Sequence, residues 1–227
     1  MDLVCILDTE TTGLDPAQGA KCIEVGCIVY SIRHRAMVEA FSSLIHSDGN
    51  DAERVNHIPV GLLRQSSGMD AEYVWGEVGV RAGGCEAVLA HNADFDRQWV
   101  PDTFPAKVPW IDTCGDVTWP LEQRPGSSLV SLCLDHGIGV VDPHRALGDC
   151  FMLARLMTRV AELGHDVSEL LARGLRPKAV FEAKIPYEDR DIAKDAGFRW
   201  ERDKKRWVRK MAIDDAAKLP FRVVRLA

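Results

Sequence analysis

The chain has 227 residues, 46% hydrophobic and 27% charged, with a formal net charge of -6 and seven cysteines. This is an ordinary globular composition, long enough for one good core plus a small satellite. With no eighteen-residue apolar run, no basic-then-apolar leader and no C-x-x-C pair, the sequence argues against a membrane span, a signal peptide or a disulfide framework, and the expectation is a soluble, cytoplasmic chain with reduced thiols and no membrane partner.

Leu3-Val4-Cys5-Ile6-Leu7 is an unbroken apolar run that ends abruptly in Asp8-Thr9-Glu10-Thr11-Thr12-Gly13-Leu14. Lacking polar alternation, it reads as a central strand covered on both faces. Residues two apart on a strand share a face, so Asp8 and Glu10 point the same way. Two partly desolvated carboxylates take up protons unless a cation lies between them, and a set of oxygen ligands favours Mg²⁺ or Mn²⁺ over zinc. An isolated Asp-x-Glu is most often a solvated acidic turn, so the metal reading needs carboxylates from elsewhere.

Residues 22–30 and 36–46 are rich in β-branched side chains and flank a polar turn at 32–35, which predicts three consecutive antiparallel strands. Residues 52–64 read as short helix interrupted at Pro59, and Asp70 is a candidate N-cap for a helix to Arg81, with Gly76 and Gly79 weighing against it. Residues 87–90 form a short buried strand that runs into His91-Asn92-Ala93-Asp94-Phe95-Asp96. A helix is expected to begin there, and acids in its first turn are accounted for by capping alone.

Trp110-Ile111-Asp112 reads as a further strand, followed by a helix to about Trp119. Ser127 and Ser128 cap the next helix, to His136. Pro143-His144-Arg145-Ala146-Leu147-Gly148-Asp149 opens the longest amphipathic helix, with Leu153, Leu156, Met157 and Val160 toward the core. Strands followed by helices in this order predict an α/β domain with a mixed sheet, and the acids fall at strand ends and helix starts, where open sheets form clefts. Neither a G-x-G-x-x-G nor a Walker loop is present, and no Ser or Cys nucleophile motif appears.

The composition changes around Leu175-Arg176-Pro177. Residues 176–227 carry 15 Lys and Arg against 9 Asp and Glu, a net of +6, which leaves residues 1–175 with 13 against 25, a net of -12. The tail is expected to be a small α+β domain, with a strand at 180–185, a helix at 187–196, a hairpin of 198–200 with 206–209, and a last strand at 221–224. Its interleaved cations and aromatics could track phosphates and stack bases, while Trp200 and Trp207 serve equally as the core of so small a unit.

Asp8 with Glu10, Asp96 in His91-Asn92-x-x-Phe95-Asp96, and His144-x-x-x-x-Asp149 resemble the three motifs of the DEDDh branch of the DnaQ-like 3'-5' exonuclease superfamily, and the stretches 90–97 and 144–150 resemble its exodeoxyribonuclease X group. The resemblance covers about residues 1–165, within a domain expected to span 1–175. It implies a ribonuclease-H-like fold and hydrolysis from free 3' ends of DNA, with RNA as the alternative substrate and a catalytically inactive nucleic-acid-binding module as a third reading. It also implies two Mg²⁺ ions, replaceable by Mn²⁺: Asp8 would bridge both, Glu10 and Asp149 would hold the first, and Asp96 would support the second, with His144 as general base. Thr9, Thr11 and Gly13 would meet the terminal nucleotide, Asn92 would position the second motif, and Leu14 would wedge against a base or be an ordinary turn residue. The segment Asn56-His57-Ile58-Pro59 departs from the family's pattern. The C-terminal stretch resembles a small domain found in DNA-processing proteins, without an assigned role, and no polymerase or other protein partner is identified.

Overall fold

The structure, a computed structural model, describes residues 1–66, 70–105, 107–123, 126–140 and 143–226. Three antiparallel strands open it: β1 (Leu3–Thr11), β2 (Cys22–Ser31) and β3 (Ala36–Leu44). Two short helices follow, α1 (Glu53–Asn56) and α2 (Val60–Gln65), broken at Pro59 because a proline lacks the N–H that would continue the first. Helix α3 (Ala71–Gly83) starts where the Asp70 side chain accepts from the Tyr73 amide, and it runs unbroken through Gly76 and Gly79.

Next come β4 (Ala87–Ala90), α4 (Ala93–Arg97), β5 (Trp110–Asp112), α5 (Leu129–Asp135), α6 (Ala146–Glu162) and α7 (Val167–Arg173). The sheet order is β3-β2-β1-β4-β5, with β4 and β5 running parallel to β1. Alternation along β1 divides the core in two. Val4 and Ile6 pack with α5, α6 and α7 on one face; Cys5 and Leu7 pack with α3 and Phe104 on the other. Helix α6 buries Met152, Leu153, Leu156, Met157 and Val160, each contributing about 1.5–3 kcal/mol, so its position on the sheet is firmly held.

The helix expected after β5 is absent. The Asp112 carboxylate instead accepts from the amides of Asn92 and Cys114, while Asp116 accepts from the Asp112 amide, so side chains satisfy backbone groups that a helix would have used. Trp119 is buried with its indole N–H donating to the Thr113 carbonyl.

The basic tail forms a second, four-stranded antiparallel sheet, ordered β7-β8-β6-β9, from β6 (Lys178–Ala183), β7 (Arg199–Glu201), β8 (Arg206–Ala212) and β9 (Val223–Arg225). Helix α8 (Arg190–Asp195), entered through a 3-10 turn, fills the expected helical stretch, and α9 (Ile213–Ala216) was not anticipated. Phe181, Phe198 and Met211 form its core, and Trp207 packs against them. Trp200 meets Trp207 at 5.3 Å between ring centroids with the rings tilted by 57°, and it is 43% exposed.

Candidate active site

Strand β1 continues well past its apolar run, with Asp8 opposite Gly26 and Glu10 opposite Glu24 on β2. Both acids sit on the face that carries α6. Gly26 lets the helix come down onto the strand: a Cβ there would lie 2.5 Å from the Leu147 amide nitrogen and 2.6 Å from the Ala146 carbonyl carbon. Asp149, the fourth residue of α6, is thereby set against β1. One carboxylate oxygen from each of Asp8, Glu10 and Asp149 lies within 4.8 Å of the others.

The entry to α6 is clamped from the same strand. Glu24, almost fully buried, accepts from Arg145 through Nε at 3.1 Å and Nη2 at 2.9 Å, and from the Ala146 amide at 3.1 Å. The bidentate fork fixes the turn before the helix in both position and orientation.

Asp96 arrives from α4 and is only 2% exposed. Its Oδ1 accepts from the Thr9 hydroxyl at 2.8 Å, which ties α4 to β1 between the two strand acids. Asn92 precedes α4 in a left-handed conformation, φ 80°, its amide donating to Asp112 and its side chain exposed. His144 lies just ahead of α6 with φ 65°, exposed to solvent, and its proximity draws the Asp149 carboxyl down against the upward pull of burial.

Burial is the main cause of raised carboxyl pKa values here. It carries Asp8 well above the ordinary range, reinforced by Asp96, Asp149 and Glu10; it takes Glu10 to about 8, Asp96 to about 7 and Asp149 to about 6. The Oδ1 of Asp149 is buried with no hydrogen-bond partner among the described residues. An orphaned acceptor within a carboxylate cluster that retains protons near neutrality is what a hard divalent cation resolves, and the donor set is all oxygen. The cluster therefore fits such a metal.

Around this centre, the Thr9 hydroxyl is committed to Asp96 and the Thr11 hydroxyl donates to the Gly13 carbonyl at 2.6 Å, so both are structural through their side chains. Leu14 stands 82% exposed at the rim, with its carbonyl accepting from Gln98. The unorthodox segment 56–59 braces the strand end from below: buried Asn56 donates to the Thr11 carbonyl and accepts from Asn50 and the Ile58 amide. Glu24 and Gly26 received no role from sequence reasoning, and Arg145 and Asn56 entered it only as members of the stretches 144–150 and 56–59. Only Glu24 left a signal, a charge inside the apolar run Ile23-Glu24-Val25, which must be paired if the strand is buried.

Comparison with known proteins places the fold. Residues 179–226 match a family described as a domain of unknown function, DUF8626. Over 168 residues the chain is 31% identical to the DNA polymerase III PolC-type protein of Thermotoga petrophila and 30% identical to that of Thermotoga maritima; the match takes in 70% of this chain but 12% of each relative, a segment of a far longer protein. Among solved structures, Exonuclease X in complex with 5' overhanging duplex DNA is similar with a TM-score of 0.56 at 23% identity, covering 75% of this chain and 99% of that one. The nuclease domain of 3'hExo, a DEDDh family member bound to rAMP, gives 0.57 at 18% identity over 72% and 93%. E. coli Exonuclease I with a dT13 oligonucleotide gives 0.58 at 14% identity over 86% and 51%. The larger unit thus has the ribonuclease-H-like mixed sheet of these exonucleases.

Proposed function

We propose that this chain is a metal-dependent 3'-5' exonuclease that hydrolyses phosphodiester bonds from the 3' ends of DNA, at single-stranded or frayed termini. The observation that carries the proposal is the meeting of Asp8, Glu10 and Asp149 within 4.8 Å on one face of the central sheet, with Asp96 joined to the strand between them through Thr9. No covalent nucleophile stands among them, and in-line displacement by water needs none.

Two Mg²⁺ ions, or Mn²⁺ in their place, would be held by Asp8, Glu10, Asp96 and Asp149 and would neutralise charge on the phosphodiester and lower the pKa of the attacking water. His144, exposed at the rim beside Asp149, takes the proton from that water as general base. The backbone of residues 9–13 receives the terminal nucleotide, and Leu14 offers an apolar wedge to its base. The basic unit, residues 176–227, serves as a second domain that attracts nucleic acid toward an acidic body. Seven free cysteines, five of them buried, accord with a reducing, cytoplasmic setting. No helix among the described residues is long and apolar enough to cross a membrane.

Relatives bound to duplex DNA and to dT13 support DNA as substrate, and the rAMP-bound relative supports an exoribonuclease as the second reading. Incubation of 3'-labelled and 5'-labelled DNA and RNA oligonucleotides with Mg²⁺ separates them. A descending ladder from 5'-labelled DNA, with immediate release of labelled mononucleotide from the 3'-labelled strand, is expected. A ladder from RNA alone selects the ribonuclease, and no cleavage of either leaves a binding protein.

A further inference from the structure

The far end of α6 lines a cavity away from the carboxylates. Arg155, Thr158, Arg159 and Glu162 recur at the spacing of one helical face, and Arg35 of the β2–β3 turn and Met37 at the start of β3 join them in lining an open cavity of about 570 Å³. Arg155 is six residues along α6 from Asp149 and Arg159 ten, so the cavity stands roughly 9–15 Å from the carboxylates at 1.5 Å rise per residue. Four of the 13 cations of residues 1–175, counting Arg33 in an adjoining cavity of about 330 Å³ that shares Arg35, gather at this place in a body of net -12.

The guanidinium groups of Arg35 and Arg155 make no ion pair or side-chain hydrogen bond among the described residues. Arg159 is held in place by donating to the His136 carbonyl at 3.3 Å and to Glu162, the one acid lining the cavity. On the floor, Thr158 lies 2.8 Å from the Tyr30 hydroxyl and donates to the Ala154 carbonyl, so the phenol gives its proton to Thr158 and keeps its lone pairs as acceptors. Met37 and Ile138 supply apolar wall. Forked cations beside an apolar surface match a phosphate joined to a sugar and base more closely than a bare anion.

We propose that this cavity binds the phosphate of a nucleotide, gripped by Arg35, Arg155 and Arg159. The phosphate comes either from a free nucleoside monophosphate or from a polynucleotide backbone that reaches the far end of α6. The site stands apart from the exonuclease reading and is tested without it.

Titration calorimetry of the intact chain in EDTA, at low salt, with dAMP and with a 12-mer oligodeoxynucleotide as probes, compares wild type with the double variant Arg35→Ser, Arg155→Ser. At least a tenfold loss of dAMP affinity with the 12-mer unaffected assigns the site to free nucleotide; a tenfold loss for the 12-mer assigns it to the backbone. Equal affinities of wild type and variant for both probes, or no binding of either by wild type, overturn the proposal. An unchanged thermal midpoint shows the variant to be folded.

Discussion

At Glu10, burial and the neighbouring Asp149 and Glu24 carboxylates push the carboxyl up to about 8, and burial lifts Asp96 to about 7 and Asp149 to about 6. In the unfolded chain such groups titrate near 4. Between about pH 4 and 8 the folded protein therefore binds more protons than the unfolded one, and its metal-free stability falls as pH rises through that window. We expect the thermal midpoint in EDTA to decline from pH 5 to 8 and Mg²⁺ to restore more of it at pH 8 than at pH 5; a metal-free midpoint that climbs over this range contradicts the assignment. Asp8→Asn keeps the shape and removes one charge, so it should abolish hydrolysis while raising the metal-free midpoint at pH 8. His144→Ala should slow turnover by roughly 10²–10⁴ with metal affinity little changed. Calorimetry with Mn²⁺ checks this: a loss of affinity as severe as that of Asp149→Ala makes His144 a ligand.

The element that decides the site is α6, and its seat on β2 rests on two residues of that strand, Gly26 and Glu24. Gly26→Ala places a methyl against backbone atoms at 2.5 and 2.6 Å, which no rotamer change relieves, so the helix must move off the strand. That overpacking should cost about 1–3 kcal/mol. Because a displacement of about 1 Å at a catalytic group can cost ~10²-fold, turnover should fall by about that factor even where denaturant melts show a folded protein. Glu24→Ala removes the fork on Arg145 and leaves the Ala146 amide without its acceptor, a loss of about 1–3 kcal/mol. A chemical-denaturation midpoint equal to wild type would show the clamp to be dispensable.

Across the whole molecule, charge is divided between an acidic body and a basic unit, and part of that contrast is consumed where the two meet. Lys210 holds Asp94, two residues from Asp96, at 2.9 Å, and Lys178 pairs with Asp116. Arg176 and Lys218 share Asp215, while Lys204 and Arg206 share Glu201. Arg202 and Lys205, in the turn between β7 and β8, appear in no ion pair among the described residues, and the same hairpin carries the exposed Trp200. If these two neutralise phosphates, log affinity for a single strand loses about 0.7 of slope against log salt for each. In an Asp8→Asn background, replacing both Arg202 and Lys205 by Ser should thus flatten the slope by about 1.4. An unchanged slope would show that the hairpin does not touch the strand.

Much of this fold was legible from local pattern. The unbroken apolar run 3–7 marked a central strand, the two β-branched runs after it marked its antiparallel partners, and the helical spacing of Leu153, Leu156, Met157 and Val160 marked the helix that covers them. Strand alternation alone put Asp8 and Glu10 on one face, and residue type alone argued for a hard cation. What sequence could not supply was distance between segments far apart in the chain. Asp94 and Asp96 look alike as first-turn acids, yet one is exposed and bound to Lys210 while the other is buried and bound to Thr9. The failed helix after β5 has the same origin, since Asp112 exchanged helical propensity for the amides of Asn92 and Cys114, one of them brought in by a different strand end. Propensity, alternation and side-chain chemistry are properties of a residue and its near neighbours, and these the sequence by itself determined. The choice of which carboxylates meet was made only in three dimensions, where the missing side chain of Gly26 and the buried charge of Glu24 bring α6 down onto β2.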